Sequence, residues 1–138
     1  MILSLNNYIM KVRCKFNDPS SLPTDFPNDF DYGLSVGQDY LVMGMVLYKD
    51  SNHIYYLLDT DSKPNWFPYS IFEIIENSLP CNWFSKPAEG ENINFMKFLW
   101  GFEELCNDKN YYHDLIQRHE KALRIYFKRK IELENMMA

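Results

Sequence analysis

The sequence predicts an α+β fold: a small curled antiparallel sheet or barrel over residues 1–89, then two helices within residues 90–138 packed on it as one compact domain. Three observations predict it. Residues 10–16 alternate apolar and basic side chains at the period of a strand. Short apolar runs rich in β-formers recur up to residue 85. Past residue 90 the apolar spacing becomes helical.

The elements follow in chain order. In "YIMKVRCKF", Met10, Val12, Cys14 and Phe16 share one face and Lys11, Arg13 and Lys15 the other, which predicts a half-buried strand. "NDPSSLPTDFPNDFDYG" holds three prolines and four aspartates and reads as a long irregular loop. Loops of that length are uncommon unless they bind something or are disordered. "DYLVMGMVLY" and "HIYYLLD" flank the polar turn "KDSN" and predict a hairpin, with Gly44 marking a bend or bulge. "NWFPYSIFEIIE" continues extended, with Pro68 at an edge or kink because it cannot donate to a ladder. "PCNWFS" supplies a last short strand. Phe95, Phe98, Leu99 and Phe102 then recur at helical spacing. Tyr112, Leu115, Ile116, His119, Leu123 and Tyr126 form the stripe of a second helix that Asn107 or Asp108 can cap.

With 138 residues, 46% of them hydrophobic and 17% aromatic, the chain is long enough for one real core. Ten Tyr, ten Phe and three Trp exceed what a single small core hides, so some are expected at an interface. Cys14, Cys81 and Cys106 are odd in number and widely spaced, which fits reduced thiols and not a disulfide framework or zinc site. No stretch reads as a signal peptide or membrane helix, so a soluble, cytoplasmic protein without membrane contact is expected. The net charge of −5 is uneven: residues 17–91 hold twelve acids against three lysines, whereas residues 1–16 hold three bases and no acid. The middle of the chain repels nucleic acid and attracts a basic partner.

Catalytic motifs are missing. Asp59-Thr60-Asp61 ends an apolar strand, where some enzymes place an aspartate pair on a metal. An EF-hand counted from Asp59 would need glycine at its sixth position and an acid at its twelfth, and these are Pro64 and Ser70. A solvated turn is the expectation. His113 and His119 lie six apart, away from the spacing that holds zinc on one helix face, and His53 begins a strand. Neither a phosphate-cradling glycine loop nor a nucleophile elbow occurs. No enzyme, metal or cofactor is therefore expected. Lys121, Arg124, Lys128, Arg129 and Lys130, interleaved with Tyr126 and Phe127, read as the solvated face of an amphipathic helix paired with Glu120, Glu132 and Glu134. Of Trp66, Phe67, Tyr69, Phe72, Trp83 and Phe84, most are expected in the core and one or two at the surface.

Three stretches, "LSVGQDYLVMGMVLY", "YYLLDTDSKPNWFPYSIFEII" and "LPCNWFS", together resemble small bacterial SH3-like immunity proteins of contact-dependent growth inhibition and related polymorphic toxin systems. The resemblance covers roughly residues 34–85 and rests on Leu34, Val36, Gly37, Tyr40, Trp66, Pro68, Phe72 and Trp83, which describe core and turns. It implies an SH3-like curled sheet and a cytoplasmic inhibitor of a toxin's C-terminal domain. No binding residue carries over by motif.

Charge and loop position supply the binding candidates: Asp25, Asp29 and Asp31 in the first loop, Asp59 and Asp61 in the second, Glu89 and Glu91 before the helices, with Tyr32 and Tyr69 as aromatic anchors. An acidic surface with aromatic anchors suits a basic nuclease domain, since complementary charge speeds association and buried aromatics slow dissociation. The alternative is an SH3-like adaptor that binds a peptide or nucleic acid.

Overall fold

The computed structural model describes residues 9–16, 33–49, 53–87 and 96–136. Among them the chain forms strands β1 (Met10–Cys14), β2 (Asp39–Leu41), β3 (Gly44–Tyr48), β4 (Ile54–Thr60), β5 (Lys63–Pro68), β6 (Phe72–Asn77), β7 (Phe84–Pro87) and β8 (Met96–Gly101), and helices α1 (Glu103–Asn107), α2 (Tyr111–Ile116) and α3 (Glu120–Met136). A single 3-10 turn, Tyr69–Ile71, joins β5 to β6. The fold is α+β: two antiparallel sheets, in strand orders β2-β1-β6 and β5-β4-β3-β8-β7, followed by the C-terminal helices.

The two sheets share one bent stretch of chain. β2 and β3 are separated only by Val42 and Met43, whose successive amides look opposite ways. Val42 N–H donates to Met10 O (2.9 Å) in the first sheet, and Met43 N–H to Leu57 O (2.7 Å) in the second. The expected hairpin strand over residues 39–48 is thus broken where the sheet turns, and Gly44 stands at the bend.

β3, β4 and β5 are apolar because both of their faces are covered. Met45, Tyr56, Leu58 and Phe67 face the first sheet and pack with Val12, Cys14, Tyr40, Val42 and Phe72. Their neighbours Val46, Leu57 and Trp66 face the helices and pack with Leu99, Leu105, Leu115, Tyr126 and Leu133. The chain therefore builds two cores on either side of one sheet, which is how it hides so many aromatic rings. Of the six aromatics singled out, Trp66, Phe67 and Phe72 are buried and Trp83 is half-buried, while Tyr69 and Phe84 are exposed. Phe16, expected on the inner face with Cys14, lies past the end of β1 and is exposed.

Two expectations are corrected. Residues 96–101 are a strand, not a helix: β8 pairs with β3 on one side and β7 on the other. Met96 and Leu99 are buried at the centre of the sheet, and Phe98 stacks on Trp100. In a short run apolar on both faces the helical and extended periods cannot be separated, so pairing decides. The helical part accordingly starts at Glu103, not residue 90, and contains three helices instead of two. The stripe from Tyr112 to Tyr126 is also interrupted, because Arg118 adopts φ +62° between α2 and α3. Leu115 and Tyr126 still reach the core, while Ile116 and His119 are exposed. Asp108 acts locally, its Oδ1 accepting the Asn110 N–H (3.0 Å) just before α2.

β3 and β8 approach closely where Gly44 pairs with Gly101 and Leu105 of α1 lies on top. A Cβ on Gly44 would stand 2.6 Å from Leu105 Cδ2 and 3.0 Å from the Trp100 carbonyl oxygen. The Gly44→Ala variant is expected to lose about 1–3 kcal/mol of stability from this overpacking. A urea titration followed by tryptophan fluorescence measures it, and an unchanged midpoint would mean that α1 does not press on the sheet.

Candidate functional site: an acidic cleft beside the last helix

Asp61 and Ser62 both have positive φ (52° and 61°), the backbone of a two-residue type I′ hairpin loop between β4 and β5. Thr60, beside that turn, donates from Oγ1 to Gly33 O (3.2 Å). The turn is thereby tied to the stretch that leads into β2.

Asp59 is not the solvated turn residue expected from sequence. It lies in β4 with its side chain only 10% exposed. Tyr126 Oη donates to Asp59 Oδ1 (2.8 Å), and Lys130 Nζ donates to both carboxylate oxygens (2.9 Å each). Tyr126 and Lys130 are one helical turn apart on α3 and so present one face to the carboxylate. Burial, then the nearby Asp59 charge, hold the Tyr126 phenol well above its ordinary range, so it stays a donor. Arg118 adds a second tie at the start of α3 by donating to Pro64 O. A third comes from Arg129, whose Nε and Nη2 donate to the two oxygens of Glu104 on α1 (2.9 Å each) and whose Nη1 donates to Glu132 (3.0 Å).

With α3 fixed in this way, a cleft of about 410 Å³ opens between β2, the β4–β5 turn and the helix. Its charged lining is Lys11, Asp39, Asp59, Asp61, Lys130 and Glu134, four carboxylates against two ammonium groups. Gly33, Ser35 and Gln38 are among the uncharged residues of its rim. Lys130 is absorbed by Asp59, and Asp39 takes a bidentate bond from Arg13 (Nε–Oδ1 2.7 Å, Nη2–Oδ2 3.2 Å), which holds the Asp39 carboxyl below its usual range. Asp61 and Glu134 are exposed, and among the described residues neither makes an ion pair.

Of the nine binding candidates, the structure brings Asp59 and Asp61 to this cleft. Tyr69 does not join them. It is exposed on the 3-10 turn and stacks on His53 (5.8 Å between centroids). Six residues of β5, about 20 Å at ~3.3 Å per residue, separate it from the Asp61 turn. Asp25, Asp29, Asp31, Tyr32, Glu89 and Glu91 lie outside the described residues. The sequence reading missed Lys11, Asp39 and Glu134. For Asp39 the signal was available, since an acid beginning an extended run falls naturally opposite the basic face of β1.

Of the three free thiols, Cys14 and Cys106 are buried and Cys81 is exposed. Burial pushes the Cys106 thiol up to about 11, and its Sγ donates to the Phe84 carbonyl (3.4 Å). Burial likewise raises the Cys14 thiol. Among the described residues no group of three His, Cys, Asp or Glu side chains could hold a metal, and no helix is long and apolar enough to cross a membrane. Comparison with protein-family models, with curated proteins and with solved structures returned no match for this chain.

Removing the Asp59 carboxylate strands a buried phenol and a half-buried ammonium. The Asp59→Ala variant is expected to lose about 2–4 kcal/mol, read from its denaturant midpoint; a loss below ~0.5 kcal/mol would mean that α3 docks without it. Glu104 contributes to stability at acid pH. Its hydrogen bonds from Arg129 hold its carboxyl below the ordinary 4.5, so the folded state gains stability above that pH and loses it as pH falls through the lowered value. Stability measured from pH 7 down to pH 3 is expected to fall less steeply in Glu104→Gln than in the parent chain. Parallel curves would show that other carboxylates govern the acid transition.

Proposed function

We propose that this chain is an SH3-like immunity protein that binds the C-terminal domain of a cognate toxin, a basic nuclease domain, and neutralises it in the cytoplasm by covering its active site or substrate surface. The observation that carries this reading is the acid excess of the cleft. Asp61 and Glu134 project exposed carboxylates beside Gly33, the residue that follows the aspartate-rich stretch containing Asp25, Asp29 and Asp31. Clefts lined by one sign of charge raise the rate of encounter with an oppositely charged surface.

The SH3-like part of the proposal is supported by connectivity. One bent strand serves both sheets, a tight hairpin follows, and a 3-10 turn leads to β6, which returns to pair with β1. The free thiols of Cys14, Cys81 and Cys106 fit a reducing compartment. The adaptor reading keeps one observation of its own. Tyr69, exposed and stacked on His53 directly after Pro68, offers a flat aromatic platform of the kind that peptide-binding modules use.

The two readings separate in an affinity capture from the native host, with the full chain and its Asp61→Lys/Glu134→Lys variant as parallel baits. The expected result is one stoichiometric basic protein on the parent bait and about tenfold less on the variant, since charge reversal removes steering and adds repulsion. Equal recovery on both baits would remove the cleft from the interface. Recovery of mixed peptides or nucleic acid, lost on Tyr69→Ala, would establish the adaptor instead.

A further inference from the structure

Sheet edges invite other strands unless they are blocked. Among the described residues this fold has four, and three are protected. β2 is only three residues long, β5 carries Pro64 and Pro68, and β7 is four residues long and ends at Pro87. β6 differs from all of them. It is six residues long, contains no proline, and is exposed from Glu73 to Asn77. Ile74 and Ile75 are exposed on it, and Leu79, also exposed, follows.

The charges on this sheet say what kind of strand the edge accepts. Across its solvent face the rows run Asp39–Arg13–Glu73 and Leu41–Lys11–Glu76. Arg13 bonds Asp39 on one side and lies 4.0 Å from Glu73 on the other. β2 is therefore acidic, β1 basic and β6 acidic. Glu73 and Glu76 are three residues apart, yet both pair with basic residues of β1, because the register shifts by one between them. Opposite charges across neighbouring strands stabilise a sheet and like charges destabilise it.

We infer that the edge of β6 left unpaired among the described residues is a docking edge for a basic extended segment of the toxin partner, which adds to the first sheet as a fourth strand with its Lys or Arg residues opposite Glu73 and Glu76 and an apolar residue over Ile74. The inference rests on the toxin-binding reading for the identity of the partner, and on the sheet alone for its chemistry. A second copy of this chain is disfavoured in the register that would pair Ile74 with Ile75. Antiparallel self-pairing centred between Ile74 and Ile75 would set Glu73 against Glu76 twice, so the same glutamates that attract a basic strand repel β6 itself. β1 shows the preferred pattern, with Lys11 and Arg13 alternating with Met10, Val12 and Cys14 along the edge of β6 already occupied.

The test uses the isotope-labelled full chain and a synthetic peptide copying residues 10–16 with serine at position 14, beside a control peptide carrying K11E, R13E and K15E. The expected result is that the basic peptide shifts amide resonances centred on residues 72–77 while the acidic peptide does not. Binding is expected to weaken about tenfold in Glu73→Lys/Glu76→Lys, from two pairs turned from attractive to repulsive. Glu73→Gln/Glu76→Gln, which spares the fold from charge reversal, should fall between. Several results would overturn the inference: no binding at millimolar peptide, equal affinity for the acidic peptide, or shifts centred on Leu123, Phe127 and Ile131, which line a shallow apolar face of α3. Exchange of the peptide for β1 itself, seen as shifts confined to residues 10–14, would overturn it as well. Any of these leaves the cleft substitutions free to decide the toxin reading independently.

Discussion

Burial of the central strands β3, β4 and β5 on both faces is the constraint from which the rest of the structure follows. Val46 and Leu57 need the helices above them, and Met45 and Leu58 need the first sheet below. Neither layer alone would keep the central strands out of water. Each fully buried aliphatic or aromatic side chain contributes about 1.5–3 kcal/mol, and both cores draw on adjacent residues of the same strands. Loss of one layer would therefore expose half of every strand in the other. The bend at Val42–Met43 makes the arrangement possible, because it lets one stretch of chain leave the first sheet and enter the second without a loop.

The same constraint explains the polar ties of α3. A helix laid over an apolar sheet has no preferred rotation or translation from hydrophobic contact alone, which is non-directional. Asp59 supplies direction. Its carboxylate accepts from Tyr126 and Lys130 at once, and it sits in β4, next to Leu58 of one core and two residues past Leu57 of the other. Partly burying an ion pair costs desolvation that the pair itself does not fully return. What it gives here is position, with Arg118 on Pro64 and Arg129 on Glu104 fixing the two sides. The cleft is a product of that position, since Lys130 and Glu134 form its helical wall.

How much of this was legible in the sequence depends on how local the determining contact is. The alternation of β1, the β3–β4 hairpin, the Asp61 turn and the edge placement of Pro68 are set by residues near one another in the chain, and each is found where the pattern puts it. β8 was not legible as a strand, because its partners are β3, about fifty residues earlier, and β7, and only pairing distinguishes an apolar strand from an apolar helix. The role of Asp59 was not legible either. Its partners lie 67 and 71 residues away, and nothing beside it in the sequence marks it as different from Asp61. Lys130 looked like one more charge on a solvated helix face for the same reason. The break at Arg118 was hidden by an apolar stripe that carries on in phase to either side.

The cleft and the β6 edge are two ends of one surface. Asp39 lines the cleft and bonds Arg13, which faces Glu73; Lys11 also lines the cleft and pairs with Glu76. Only β1 lies between β2 and β6, so about 10 Å separates the acidic rim from the open edge at ~4.8 Å per strand. A standard protein interface covers about 800 Å² on each partner, which is ample to span both. A basic partner drawn to Asp61 and Glu134 would thus have its neighbouring backbone within reach of β6. In the proposed complex the two features would divide the task of recognition: exposed carboxylates act at a distance and would set the rate of encounter, whereas main-chain pairing acts only on contact and would set how long the complex lasts. In that complex Glu73 and Glu76 would face the basic strand, and in the register centred between Ile74 and Ile75 the same charges would oppose a second copy of the chain.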